Sequence, residues 1–356
     1  MTQAVTLSGL GSTAPIINSP VLTAPVLGTP ASGSLVNCTD VNYTGFKNRI
    51  INGGMVIDQR NAGASVTPTS GAIYTCDRWN VTNSQASKLS VQQNASAVTP
   101  PTGFSSYLGV TSLSSYSVLA GDYFLLVQSI EGYNVSDLDF GKASAKTVTV
   151  SFWVRSSLTG TFGGALNNSG SVRCYPFTYT INSANTWEQK TITVVGDTTG
   201  TWLTNNGIGL IVIFGLGVGT SSSSTAGSWQ TTNFYSATGA TSVVGTSGAT
   251  FYITGVQLEK GSVATSFDYR PYGTELSLCQ RYYEYLTVSI QGGYFATANY
   301  CGATWLYKVT KRAAPIVVLN TGSTTTVYSN TDGVSVTNGN SVTALITAGS
   351  TAASEL

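Results

Sequence analysis

The stretch Lys146–Arg155, KTVTVSFWVR, decides the fold because apolar side chains recur along it at every second position. A period of two residues is that of a β-strand, in which successive side chains point to opposite faces. The sequence therefore predicts a strand with one buried face. The side chains on that face are Val148, Val150, Phe152 and Val154.

Further apolar runs lie on both sides of this strand and predict an antiparallel all-β sandwich or barrel. Gly255 interrupts one of them, which predicts a bulge or a close backbone approach. Another run has 12 residues, four of them glycine, and falls short of the roughly 20 that a membrane helix needs. We therefore predict a buried strand there and no membrane insertion. The runs are YFLLVQSI at Tyr123–Ile130, TITVV at Thr191–Val195, IGLIVIFGLGVG at Ile208–Gly219 and FYITGVQL at Phe251–Leu258.

Pattern and composition divide the chain into three predicted parts. Residues 45–275 carry the strand runs of the sandwich, and residues 276–356 form a smaller β domain. This smaller domain opens with Leu276–Leu286, which predicts a short helix turning into a strand. Between the runs at 208–219 and 251–258 lies a long Ser-rich insertion, and such insertions are either functional or mobile.

Residues 1–44 form the third part, an extended segment with prolines spaced five residues apart. Proline at that spacing excludes a helix or a central strand. One interpretation is a flexible linker; the other is an arm whose Val-Leu pairs pack on a partner or on copies of itself. Regular apolar pairs favour the arm. The prolines are Pro15, Pro20, Pro25 and Pro30.

Composition excludes several function classes. Charged residues make up 9% of the 356 residues and the formal net charge is +1, whereas nucleic-acid binders need clustered Lys and Arg. Histidine is absent, which excludes Ser-His-Asp and Cys-His sites and histidine-ligated metals. The five cysteines are irregularly spaced and favour buried thiols over a disulfide framework.

One pair of carboxylates is spaced for hydrolytic chemistry. Asp137 and Asp139 lie two residues apart and would point the same way from a strand. Paired carboxylates hydrolyse glycosidic bonds in many enzymes. The alternative is a turn in which the aspartates accept hydrogen bonds from backbone amides, and the sequence favours this alternative because no second motif supports hydrolysis.

Several motifs resemble those of bacteriophage tail-fibre and related virion surface proteins. The resemblance covers residues 45 to about 285 and implies a jelly-roll sandwich similar to carbohydrate-binding modules. Such modules share a Trp-bearing strand, a W-x-x-x-T-I-T strand and a QLE strand, here at Trp153, Trp187–Thr193 and Gln257–Glu259. The motifs are NRIINGGM at Asn48–Met55, IDQRN at Ile57–Asn61, DRW at Asp77–Trp79, QSIEG at Gln128–Gly132, SFWV at Ser151–Val154, VQLEKG at Val256–Gly261 and CQRYYE at Cys279–Glu284.

The resemblance draws attention to two acidic residues, Glu131 and Glu259. Some jelly-roll modules hold a structural Ca²⁺, which needs several converging oxygen ligands, so these two are the candidates for a metal site. The alternative, which we favour, is that each pairs with an arginine such as Arg78 or Arg155 or caps backbone amides. No other cofactor is expected.

Aromatic side chains near glycine- and serine-rich loops are the candidates for glycan contact. Sugars stack their apolar faces on Trp or Tyr, while polar side chains bond the hydroxyls. Trp202, Trp229 and Tyr235 lie in such loops. For each of them a packing role is the competing interpretation.

These observations and the resemblance together predict a non-enzymatic structural protein of a phage virion. It would be a tail fibre or receptor-binding subunit on the tail or capsid surface, made in the host cytoplasm. The expected partners are copies of itself in a homotrimer, other virion proteins through residues 1–44, and a glycan of the host cell surface. The alternatives are a capsid decoration or head-fibre protein and, less favoured, an accessory of a polysaccharide depolymerase.

Overall fold

A computed structural model of the chain describes residues 46–285, 302–319, 326–329, 333–337 and 344–347. The predicted arm, residues 1–44, lies outside the described residues. In the described residues the strands of the first part of the chain are β1 (Gly71–Tyr74), β2 (Asn80–Asn83), β3 (Leu89–Gln93), β4 (Leu108–Ser112), β5 (Tyr123–Glu131), β6 (Val148–Ser156), β7 (Gly160–Asn167), β8 (Cys174–Ile181), β9 (Glu188–Val194) and β10 (Ile208–Val218). The later strands are β11 (Ser223–Ser224), β12 (Ser236–Ala237), β13 (Thr250–Lys260), β14 (Tyr283–Tyr285), β15 (Gly302–Leu306), β16 (Ile316–Leu319), β17 (Thr326–Ser329), β18 (Gly333–Thr337) and β19 (Ala344–Thr347).

Two antiparallel sheets build the main body of the protein. One has six strands in the order β1-β2-β5-β10-β7-β8, and the other has five in the order β3-β4-β13-β6-β9. The chain crosses repeatedly between the two sheets, as in a jelly roll. Two further three-stranded sheets, β14-β19-β16 and β15-β18-β17, contain the strands that follow residue 280. The prediction of an all-β chain with a central sandwich is confirmed.

The hydrophobic core lies between the six-stranded and five-stranded sheets. Val148, Val150, Phe152 and Val154 of β6 are fully buried there, which confirms the face predicted from KTVTVSFWVR. The ring of Phe152 meets that of Phe214 from β10 edge-on, with centroids 4.9 Å apart. Strand β10 is the predicted buried strand, and no helix among the described residues has the length and apolar character to cross a membrane.

Strand β13 contains the bulge that Gly255 predicts. Its pairing with β6 shifts register between Thr254 and Gln257, and Gly255 has a φ of +61°, in the left-handed region. The main chain at residues 53 and 54 crosses this point, with the Val256 amide donating to the Gly53 carbonyl at 3.0 Å. At the bulge, β13 therefore hydrogen-bonds to the main chain of residues 49–53, with the Arg49 amide also donating to the Leu258 carbonyl at 2.8 Å.

The Ser-rich insertion between β10 and β13 packs onto the sandwich. Val243 and Val244 are fully buried in the core, and Ser236 of β12 lies over Gly163 and Gly215 on the outer face of the six-stranded sheet. A Cβ on Gly163 would come within 2.3 Å of the Ser236 hydroxyl. Glycine is needed at this position because strand β12 passes so close to the sheet.

One α-helix, α1 (Tyr272–Gln280), leaves the sandwich and leads into β14, with its start four residues earlier than the sequence predicts. Pro271 precedes it, a residue that suits the start of a helix. Beyond the helix, the Arg281 guanidinium and the Tyr282 hydroxyl both donate to buried Glu131. Further along, the buried Lys311 ammonium donates to Glu284 at 2.5 Å. These contacts hold Arg281 and Tyr282 against the end of β5, and Lys311 against β14.

Candidate functional site

Trp202 and Trp229, two of the predicted glycan contacts, lie side by side. Their ring centroids are 5.4 Å apart, and each also meets the Phe140 ring edge-on, at 4.9 and 5.8 Å. Both tryptophans are half-buried and pack against the core. The depression beside Trp202 has a volume of about 20 Å³, which is enough for about one water molecule.

Salt-bridge and backbone contacts hold the two tryptophans rigidly. The Arg173 guanidinium binds Asp197 through two hydrogen bonds of 2.6 and 2.7 Å, and Asp197 fixes Thr199. The indole N–H of Trp202 donates to the Thr199 carbonyl, and that of Trp229 to the Val195 carbonyl. Both indole N–H groups are therefore already hydrogen-bonded within the protein, and only the ring surfaces remain for contact with a ligand. Glycan contact at these rings stays a prediction.

Tyr235, the third predicted contact, lies elsewhere. It covers the outer face of the six-stranded sheet with Tyr123, at a centroid separation of 5.4 Å, and belongs to a separate apolar cluster around Leu125. The Asn233 amide donates to its hydroxyl at 2.6 Å. Burial raises the pKa of Tyr235 above its ordinary value. The structure thus does not join Tyr235 to the two tryptophans.

The two candidate metal ligands are engaged by protein donors. Glu131 accepts both arms of the Arg281 guanidinium, at 2.6 and 2.9 Å, and the Tyr282 hydroxyl at 2.7 Å. Glu259 accepts the amide and hydroxyl of Thr265, at 2.9 and 2.6 Å. Over the described residues, no three His, Cys, Asp or Glu side chains lie together as a metal site would require. Both carboxylates are therefore hydrogen-bonded within the protein, and the arginine that binds Glu131 is Arg281 rather than Arg78 or Arg155. A Ca²⁺ site at either residue stays a prediction.

Asp137 and Asp139 lie in and just after the short 3₁₀ turn Ser136–Leu138, not on a strand. Asp137 binds Arg49 at 2.9 Å, and Asp139 binds Lys142 at 2.9 Å. Both residues thus lie at a turn, as the alternative expects, but their carboxylates face side-chain cations rather than backbone amides.

An aromatic cleft lies on the outer side of the five-stranded sheet, near the bulge of β13. Its volume is about 390 Å³, within the range of small-molecule sites. Three rings form its wall, with Phe104 and Phe267 at 5.1 Å, Phe267 and Tyr269 at 4.9 Å, and Phe104 and Tyr269 at 5.6 Å between centroids. The remaining lining residues are Gly54, Val56, Gly103, Ser105, Arg270 and Glu275.

A buried ion pair contributes to the cleft. The Arg270 side chain is 3% exposed and that of Glu275 10%, with Nη1 3.3 Å from each carboxylate oxygen. Nη1 also donates to the Ile50 carbonyl at 3.0 Å, and Nη2 donates to the Asn48 carbonyl. The Asn52 amide donates to Glu275 Oε1. The pair is thus fixed by the main chain of residues 48–52.

Local backbone chemistry preforms the cleft. Phe104 lies over Gly255, where a Cβ would approach its Cζ to 2.5 Å, and Gly103, with a φ of +92°, gives room to the Tyr269 hydroxyl. Asp268 is held by the amides of Lys47 and Asn48, at 3.0 and 3.2 Å. A wall fixed in this way loses little conformational entropy when a ligand binds.

Sequence reasoning missed this cleft because its parts are far apart in the chain. Phe104 lies more than 160 residues before Phe267, and neither belongs to a strand run or a repeated motif. Gly255 was the one residue that pointed to this region, since the sequence predicts a bulge or a close backbone approach there but does not identify the Phe104 ring that lies over it. The aromatic spacing of Phe267 and Tyr269, directly before Arg270, is a local pattern that could have drawn attention to the site.

No protein-family model matches the chain, and no curated protein matches it. Solved structures that the chain matches weakly include the enzymatically active domain of tailspike protein 4 of bacteriophage CBA120, at 12% identity and a TM-score of 0.34, covering 60% of this chain and 21% of that chain. A putative sugar-binding protein of Bacteroides thetaiotaomicron is 10% identical at a TM-score of 0.34, covering 60% of this chain and 100% of its own.

A family 11 carbohydrate-binding module of Clostridium thermocellum, in complex with a β-1,3-1,4-mixed-linked tetrasaccharide, is 14% identical at a TM-score of 0.27, covering 55% of this chain and 97% of the module. The chain spans about a fifth of the length of the tailspike chain. Likenesses of this strength do not assign the chain to any of these classes.

Proposed function

We propose that the chain is a non-enzymatic protein of a phage virion surface whose sandwich binds a glycan of the host cell. The observation that carries the glycan-binding part is the aromatic cleft of Phe104, Phe267 and Tyr269 with Glu275 among its lining residues. The virion setting follows from the sequence motifs and is part of the proposal.

The groups that line the cleft complement the two kinds of surface that a sugar presents. A pyranose has an apolar C–H face and a rim of hydroxyls, so it needs an aromatic surface beside hydrogen-bonding groups. Tyr269 is 59% exposed and offers such a surface. Ser105, the Tyr269 hydroxyl and the Glu275 carboxylate supply neighbouring polar groups.

The lining of the cleft also supports binding rather than hydrolysis. Glycosidases of the common kind place two carboxylates around the scissile bond, one of them as the acid. Among the described residues that line the cleft, Glu275 is the single carboxylate, and it forms an ion pair with Arg270. Incubation with a bound polysaccharide should release no new reducing ends, and their appearance would overturn this part of the proposal.

A single site of this size gives weak attachment, so the proposal includes several copies acting together. We propose a homotrimer, with residues 1–44 binding other virion proteins. Light scattering of the full chain should give three times the mass of the monomer. If phage particles incorporate protein that lacks residues 1–44 as efficiently as the full chain, the proposed role of the arm is wrong.

The test of host binding is adsorption of the purified full chain to host cells. Tyr269→Ala should reduce adsorption about tenfold or more, because it removes the most exposed ring of the cleft. Tyr133→Ala is the matched control, since Tyr133 is 60% exposed and does not line the cleft. If the folded wild type does not adsorb, or if both variants lose adsorption equally, the proposal is wrong. Absence of adsorption would favour the capsid-decoration alternative.

A further inference from the structure

The ion pair of the cleft limits which sugars fit it. Arg270 is the one cation among the described residues that line the cleft. Its side chain is 3% exposed, and its outer nitrogens donate to the carbonyls of Ile50 and Asn48 and to Glu275. A guanidinium enclosed in this way has little surface left for the carboxylate or sulfate of an acidic sugar, which would need a free, exposed donor.

Of the two side chains, that of Glu275 is slightly more exposed, at 10% against 3% for Arg270. Its oxygens accept hydrogen bonds from Arg270 and from the Asn52 amide, and a carboxylate oxygen has room for more than one donor. An incoming anion would meet this carboxylate and be repelled, whereas a sugar hydroxyl could donate to it.

The other polar lining groups, Ser105 and the Tyr269 hydroxyl, are neutral. Lys47, whose main-chain amide donates to Asp268 beside the cleft, donates through its ammonium to the Thr265 hydroxyl and the Ser266 carbonyl, at 2.5 and 2.7 Å. The two charged residues that line the cleft, Arg270 and Glu275, therefore pair with each other, while its wall is apolar.

We infer that the cleft takes a neutral hexopyranose and rejects uronic or sulfated sugars, with the C–H face on the Tyr269 and Phe267 rings and a hydroxyl donating to Glu275. This inference rests on the proposed function. It goes further because an aromatic wall alone would accept neutral and acidic sugars alike, whereas the enclosed Arg270 and the more exposed Glu275 discriminate between them.

The experiment compares matched polymers that differ by the carboxylate at C6, such as galactan with polygalacturonan and glucan with polyglucuronan. The full chain is titrated against each immobilised polymer at 50 and 500 mM NaCl. We expect at least one neutral polymer to bind ten times more tightly than its acidic counterpart. Its Kd should change less than twofold with salt, because no ion pair forms with the ligand.

Two variants separate the possible failures. Tyr269→Ala should abolish binding of the neutral polymer, with Tyr133→Ala as its control. Glu275→Gln, whose folding is checked by thermal unfolding, should weaken the discrimination: the ratio of the Kd for the acidic polymer to the Kd for the neutral polymer should fall at least threefold, because the amide carries no charge to repel an acidic sugar.

A preference for the acidic polymer that weakens with salt and disappears in Tyr269→Ala would overturn the inference and leave the proposed function standing. If no polymer of either kind binds the folded wild type, the proposed function and the inference both fail.

Discussion

Gly255→Ala tests whether the bulge of β13 holds the cleft wall in place. The alanine would adopt a φ of +61°, which costs an L-residue about 1–2 kcal/mol. Its Cβ would also lie 2.5, 2.9 and 3.2 Å from three atoms of the Phe104 ring. Forcing a packed ring to move costs about 1–3 kcal/mol. The expected loss of unfolding free energy is therefore about 3 kcal/mol, together with loss of glycan binding.

Gly248→Ala is the matched control, because Gly248 has a φ of +74° and no heavy atom within 4 Å of its added Cβ. It should cost only about 1 kcal/mol of backbone strain and leave binding unchanged. Urea unfolding followed by tryptophan fluorescence measures the stability cost of both glycine variants. In a Phe104→Ala background the cost of Gly255→Ala should also fall to about 1 kcal/mol, since the ring is gone. Equal losses for the two glycine variants, or no such coupling with Phe104, would refute the reasoning.

Other variants test the remaining structure. Glu131→Gln should cost about 2–3 kcal/mol, because it breaks a buried pair, whereas Asp137→Asn, at a half-exposed pair, should cost less than about 1 kcal/mol in the same urea assay. Burial disfavours the charge of Asp122, but hydrogen bonds from neighbouring hydroxyl, amide and backbone groups outweigh it and lower its pKa to about 2. The ionised Asp122 carboxylate therefore contributes up to about 2 kcal/mol to the free energy of unfolding above pH 4, and this contribution is lost as the pH falls towards 2. Asp122→Asn should accordingly lose less stability between pH 6 and pH 3 than the wild type. Trp202→Ala and Trp229→Ala should each cost about 2 kcal/mol of unfolding free energy, because both rings pack on the core. A parallel loss of host-cell adsorption would confirm glycan contact, whereas unchanged adsorption would show that the two rings have only a packing role.

The sandwich could be predicted because its information is local. In β6 the alternation of Val148, Val150, Phe152 and Val154 identifies the buried face without knowledge of any partner strand. The bulge could be predicted in the same way, since Gly255 interrupts an otherwise regular apolar run. Both features depend on residues within ten positions of each other.

The helix boundary and the insertion depend on contacts that a single segment does not show. Helix α1 begins at Tyr272, ahead of the apolar residues that mark it in the sequence, and its first turn includes Glu275, which binds Arg270 and the main chain at Asn52. In the insertion, Val243 and Val244 are anchored by the core although the surrounding residues are low in complexity.

The candidate site was the hardest part to predict. Trp202 and Trp229 were recognised as loop aromatics, and the structure brings them together. The cleft, in contrast, needs Phe104 to meet Phe267 across the bulge, and that contact follows from the register of β13 and from the path of residues 53–56. No pattern within either loop specifies such a long-range contact.

The most direct test of the central claim is a crystal structure of the full chain with a bound neutral oligosaccharide chosen from the polymer that binds most tightly. The account predicts one sugar ring in van der Waals contact with Tyr269 and Phe267, with a hydroxyl within hydrogen-bond distance of a Glu275 oxygen. An oligosaccharide seated on Trp202 and Trp229, or on the outer face of the six-stranded sheet beside Tyr235, with the aromatic cleft empty, would contradict it.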